Sequence, residues 1–158
     1  SQTDTTSEYQ NTNHIFNPLY GTAHKFNGYM DYYYAGIPHG NVGLIDVYLK
    51  LKYNTPKYWI TLDVHQFMSQ ENVLNKQELM ASGKYDAMNS NLGSEIDFAV
   101  AYIFSPIFNI QVGYSHYFPN STIAVVKGVT DYKNGGYTDQ TANWAYLMLT
   151  FKPNFIKQ

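Results

Sequence analysis

Between Gly93 and Phe118 the hydrophobic and polar positions alternate strictly. Ile96, Phe98, Val100, Tyr102 and Phe104 fall on one side, with Glu95, Asp97, Ala99 and Ala101 on the other. After Ser105-Pro106 the pattern resumes, with Phe108, Ile110, Val112 and Tyr114 opposing Asn109, Gln111, Gly113 and Ser115. A period of two is the strand period. Each run lasts about ten residues, longer than the ~5–6 of an ordinary strand and inside the roughly 9–11 that a tilted strand needs to cross a membrane. Rings gather on the apolar side at the turn (Tyr102, Phe104, Phe108) and again near the far end (Tyr114, Phe118). Such a placement matches the interfacial girdles of an outer-membrane barrel.

The same reading extends to both sides. Ile45, Val47, Leu49, Leu51 and Tyr53 alternate with Asp46, Tyr48, Lys50 and Lys52. A tight Asn54–Pro56 turn follows. Tyr58, Ile60, Leu62 and Val64 then alternate with Trp59, Thr61, Asp63, His65 and Phe67. The last strand spans Ala142–Lys152, with Ala145, Leu147, Leu149 and Phe151 on the apolar side. Residues 69–92 and 119–141 break the pattern and read as long loops, the first with a short helical turn around Lys76–Met80. Residues 1–15 have no period and read as mobile. His24–Ala35 carries rings on both sides and fits either a first strand or a folded loop. Tight turns alternating with long loops place the two kinds of connection on opposite sides of a membrane.

The expected fold class is therefore all-β: an antiparallel up-and-down transmembrane β-barrel, to which this chain supplies five to six strands of a larger whole. About eight strands are the practical minimum for closure, and an open edge in lipid leaves unpaired backbone groups. Missing N-terminal strands or another chain would complete it. One domain accommodates the 158 residues. Aromatic residues make up 17% of the chain and charged residues 14%, against a usual ~25% charged. No apolar window is long enough for a membrane helix. The net charge of −2 gives no reason to expect nucleic acid. There is no cysteine, hence no disulfide and no thiolate metal site, and all ten basic residues are Lys.

The stretches FNPLYGTAHKFNGYMD (16–31), GLIDVYLKLKY, LDVHQF, LGSEIDFAVAYIF, VGYSHYFP and NWAYLMLTFKP resemble, in order and spacing, the C-terminal portion of the alginate-export family of outer-membrane β-barrels, Bacteroidetes type. The resemblance covers nearly the whole chain from Phe16. It implies a porin-like channel in the bacterial outer membrane that passes hydrophilic solutes, polysaccharide being the family's named cargo. It implies no enzymatic activity and no cofactor. Tyr20, His24, Lys25 and Asp31 lie in the family-like motif and, with Tyr29 and Tyr32, are candidates to line a constriction or contact a saccharide.

With the apolar side toward lipid, the passage-lining candidates are Asp46, Tyr48, Lys50, Lys52, Asp63, His65, Glu95, Asp97, Gln111 and Lys152. Strand direction puts Asp46, His65, Glu95 and Asp97 in the outer half and Lys50, Lys52 and Lys152 nearer the periplasm, two charge zones that would bias ion passage. The pairs Asp63/His65 and Glu95/Asp97 carry acid, base and ligand chemistry, but no nucleophile motif accompanies them. Asp131 and Asp139 lack the spacing of a calcium loop. No metal is expected. The alternative is a soluble β-barrel or sandwich binding a small apolar or saccharide ligand.

Overall fold

The computed structural model describes residues 27–33, 43–128, 130–131, 136–137 and 141–153. Its elements in chain order are β1 (Leu44–Asn54), β2 (Tyr58–Ser69), β3 (Val73–Leu74), α1 (Lys76–Ser82), β4 (Ala87–Met88), β5 (Asn91–Ser105), β6 (Phe108–Pro119), α2 (Ser121–Val126), β7 (Thr130–Asp131), β8 (Gly136–Tyr137) and β9 (Ala142–Phe151). The fold is antiparallel and predominantly β. One sheet holds the five long strands in the order β1-β2-β5-β6-β9, every neighbouring pair antiparallel. Among the described residues the sheet is open, with β1 and β9 at its edges.

Local chemistry fixes the ends of these strands. In the β1–β2 turn the Thr55 hydroxyl accepts from the Tyr58 amide at 3.0 Å, and the Thr55 amide donates to the Tyr58 carbonyl at 2.8 Å. The β5–β6 hairpin absorbs a bulge between Ile103 and Ser105 before its two-residue turn. Bulges of this kind bend a strand and increase its twist. The long loops contain small elements of their own. In α1 the Asn75 side chain caps the Glu78 amide, and Gly83, at φ 70°, closes the C-terminus. α2 is capped by Asn120 and buries Thr122, Ile123, Ala124 and Val125.

The two faces of the sheet have opposite fates. The apolar stripe is exposed: Leu49 (58%) and Leu51 (52%) on β1, and Leu147 (66%) and Leu149 (62%) on β9. On the central strands the polar side is the buried one, with His65 and Glu95 at 0% and Asp97 at 1%, while toward the edges inward residues such as Tyr48 and Met148 are exposed. A compact apolar cluster of Tyr33, Phe67, Val73, Leu92, Tyr117 and Ile123 sits over the loop end of that polar side. Residues 27–33 contribute to it.

That segment is the one place where a strand was open as an expectation, and over 27–33 no strand forms. Gly28 at φ +82° and Asp31 at φ +54° turn the chain out of the extended region. The segment instead lies as a strap across the polar side. The remainder of His24–Ala35 lies outside the described residues.

Gly113 on β6 shows how tightly the polar side is packed. A Cβ there would run into the Tyr146 ring, whose hydroxyl accepts from the Gln111 side-chain amide. Gly113→Ala is expected to push Tyr146 off β9's inner side and cost about 1–3 kcal/mol. The midpoint of thermal unfolding, followed by far-ultraviolet circular dichroism, should fall, and an unchanged midpoint would show that the ring is free to move.

Candidate functional site

Register brings the candidate residues together. On the polar side Asp63 lies opposite Lys50 on β1 and opposite Asp97 on β5, while Asp97 faces Ser115 on β6. One step toward the loops, His65 lies opposite Tyr48 and Glu95, and Glu95 faces Tyr117.

Two linked groups emerge. In the first, Lys50 Nζ donates to Asp63 Oδ2 at 2.7 Å and lies 3.2 Å from His65 Nε2, while His65 Nδ1 lies 2.9 Å from Asp46 Oδ2. An ammonium can only donate, so Nε2 is the acceptor and Nδ1–H points at Asp46, the geometry of a neutral imidazole. His65 also stacks on Phe67 and lies 5.6 Å from the Tyr48 ring, over which Lys50 is placed at 5.4 Å. The expected ammonium zone is therefore not separate from the carboxylates, because Lys50 reaches into them.

The second group holds the strap. The Met30 amide donates to Glu95 Oε1 at 2.9 Å and the Tyr29 amide to Asp97 Oδ2 at 3.3 Å. Glu95 Oε2, Asp97 Oδ1 and the Ser115 hydroxyl oxygen are buried and have no hydrogen-bond partner among the described residues. Gly28 is required where it stands, since a Cβ would come within 2.5 Å of Glu95 Oε1. Further along, the Tyr33 and Tyr117 hydroxyls meet at 2.6 Å, Tyr117 donates to the Leu92 carbonyl at 2.6 Å, and Tyr32 stacks on Tyr117 at 4.2 Å. Lys127, just after α2, donates to the Tyr32 carbonyl at 2.9 Å.

Burial raises the pKa of the Tyr29 hydroxyl, and the nearby Asp63, Tyr146 and Asp97 raise it further. Burial likewise raises Tyr33, with Tyr117 adding to it, so the strap's hydroxyls stay protonated donors. Lys127 is lowered by burial.

Other expected residues sit apart. Lys52 lies over Trp59 at 5.7 Å, and Gln111 is held by Tyr146. Lys152 follows β9 at the tight-turn end, its amide bonded to the Ile107 carbonyl at 2.8 Å. Asp31 is in the strap, whereas Tyr20, His24 and Lys25 lie outside the described residues. Among the described residues no three His, Asp or Glu side chains form a metal-holding group. Sequence reasoning missed Gly28, the Tyr29 and Met30 amides, and Lys127. The only available signal was a glycine inside the motif run, because backbone donors leave no residue signature.

Gly28→Ala tests the strap. The added methyl and the positive φ should detach the strap from Glu95, at a cost of about 1–3 kcal/mol. Hydrogen exchange at the Met30 amide should accelerate by on the order of ten-fold while the β5–β6 ladder keeps its protection. Unchanged exchange at Met30 would show that the carboxylate does not hold the strap.

Comparison with known proteins adds no relative to this geometry: no family model, no curated protein and no solved structure matches the chain.

Proposed function

We propose that the chain is part of an outer-membrane β-barrel of the alginate-export kind, and that its buried polar side is the wall of a passage for hydrophilic solutes. The observation that carries this reading is the reversed polarity of the sheet. A water-soluble sheet buries its apolar side, and exposed apolar patches beyond a few hundred Å² call for a partner. Here the continuous aliphatic and aromatic stripe of all five long strands is outside, and charged groups are inside. Lipid is the partner that such a stripe fits.

The shape of the stripe supports the same reading. At the tight-turn end its last rings are Tyr53, Tyr58, Phe104, Phe108 and Phe151; the pairings put Tyr58 beyond Tyr53 and Phe104 beyond Tyr58 on the way to the turns, and leave Phe108 directly opposite Phe151. At the loop end the first outward polar residues are Gln66 on β2, Ser94 on β5, His116 on β6 and Asn143 on β9, while β1 stays apolar as far as Ile45. At the loop end Gln66 faces Ser94 and His116 faces Asn143, with one two-residue step between the pairs; averaged over its four crossings the tight-turn edge shifts by about one residue per strand, which at ~3.4 Å per residue and ~4.8 Å between strands is a tilt of roughly 35°. Strands of outer-membrane barrels tilt by about 35–45°. The free edges of β1 and β9 then pair with further strands, since hydrocarbon does not tolerate unpaired backbone.

No cofactor is needed for passive passage. The sequence resemblance supplies the family and the saccharide cargo.

Adjacent substitutions on opposite sides of β1 test the reading. Leu49→Arg, in the stripe, should lower the stability of the protein folded into phospholipid vesicles by about 2–4 kcal/mol, and Tyr48→Arg, on the polar side, by under about 1 kcal/mol. Urea titration of vesicle-folded protein reads both. A wild-type protein that stays monomeric in plain buffer at high concentration, with Leu49→Arg tolerated, would favour a soluble sheet whose stripe is covered by other protein.

A further inference from the structure

We propose that Trp144 and Tyr146, on the inward side of β9, form a saccharide-binding strip in this passage and hold the face of a pyranose ring by stacking. The inference rests on the reading of the polar side as a passage wall and adds where, and by what chemistry, a saccharide is held there.

The inward wall has two unlike halves. β1, β2 and β5 carry its charge, whereas the inward positions of β6 and β9 hold amides, hydroxyls and rings and no charged group. Register sets Trp144 opposite Ser115 and Tyr146 opposite Gly113. Both of these neighbours are small. The Tyr146 ring fills the space that a β-carbon on Gly113 would occupy, and Ser115 is fully buried. The two rings also lean toward each other: their centroids are 4.8 Å apart at 33°, against ~6.8 Å between alternate residues of a strand. They form one continuous aromatic strip along β9, and Trp144 remains exposed.

The second observation is that the strip is held in place and edged with neutral polar groups. The Gln111 side-chain amide donates to the Tyr146 hydroxyl and orients the ring, so less freedom is lost when a ligand settles on it. Thr150 stands further along the same side of β9, and the strap's Tyr29 hydroxyl lies near Tyr146. A pyranose has the matching double character. Its ring C–H bonds make an apolar face, and its hydroxyls line the rim as donors and acceptors. Aromatic side chains supply apolar area for the face, and amides and hydroxyls both donate and accept at the rim. Neither contact needs a charged residue, so the strip accepts neutral sugars and uronates alike.

Tryptophan emission of the intact protein folded into phospholipid vesicles tests this. The chain has two tryptophans, so Trp59→Phe leaves Trp144 as the reporter. Cellohexaose, which offers pyranose faces and no charge, should change the Trp144 emission saturably, and a mannuronate hexamer should do the same. In that background Tyr146→Ala should weaken cellohexaose binding by on the order of ten-fold, the loss of one stacked ring. Tyr146→Phe keeps the ring and should stay within about two-fold. Gln111→Leu leaves both rings but removes the bond that orients Tyr146, and should weaken binding about three-fold. Leu147→Val, on the outward side of the same strand, should leave binding unchanged.

No saturable response to cellohexaose would overturn the proposal. So would a response to the mannuronate hexamer alone, which would show recognition of charge rather than of a ring face, and so would undiminished affinity in both Tyr146→Ala and Gln111→Leu. Conductance of the same protein in planar bilayers judges the passage separately. Channels without saccharide binding would remove the strip and leave the passage, whereas absence of channels would remove the passage and, with it, the place proposed for the strip.

Discussion

A β-strand offers its pleat only two sides, and everything in this molecule follows from which side the chain turns inward. On β1, β2 and β5 the inward side is the one that carries charge, and on β6 and β9 it carries amide, hydroxyl, glycine and ring side chains. Placing Glu95, His65 and Asp97 out of bulk water is costly unless each group finds a partner. The molecule supplies those partners from three sources: across strands, as with Lys50 and Asp63; along strands, as with the aromatic neighbours of His65; and from a separate piece of backbone, the strap. The outward side needs no partner within the chain, but it does need a surrounding that tolerates Leu, Ile, Val and Phe.

The strap explains why the inner surface is more than an alternation of polar residues. It is held at one end by backbone amides on carboxylates and at the other by Tyr33, which is buried between Phe67 and Tyr117. α2 closes over that end, with Ile123 in the same apolar cluster and Lys127 on the Tyr32 carbonyl. The apolar cluster therefore lies at the loop end of the polar side, where the strap and the long-loop elements meet. Polar contacts to Glu95 and Asp97 set the position of the strap, and burial of rings gives it most of its stability, since a buried aromatic side chain contributes more than one neutral hydrogen bond.

Much of this was legible in the sequence because the period of two is held for so long. The bounds of β1, β2, β5, β6 and β9, the two tight turns and the division of residues between sides all follow from the alternation and from Asn54–Pro56 and Ser105-Pro106. The tight β1–β2 turn fixes Lys50 opposite Asp63, whereas Asp97 opposite Asp63 was not legible, because a long loop joins β2 to β5 and leaves their register open. The strap was not legible, because HKFNGYMDYYYA carries rings on both sides and its decisive contacts come from backbone amides. The two-residue strands β3, β4, β7 and β8 are too short to show a period at all. The reach of Lys50 was misjudged for a simpler reason: residue position gives the level of a Cα, whereas a lysine side chain extends its charge several ångströms along the strand.

The central claim is that the stripe of Val47, Leu49 and Leu51 meets hydrocarbon while Asp46, Tyr48, Lys50 and Lys52 line water. The chain has no cysteine, so single spin labels can be placed one at a time at each position from 46 to 52 of the vesicle-embedded protein. Collision with dissolved oxygen should peak at 47, 49 and 51, and collision with a water-soluble nickel complex at 46, 48, 50 and 52, the two profiles running in opposite phase. Profiles that rise and fall together, or a stripe shielded from both reagents, would contradict the account.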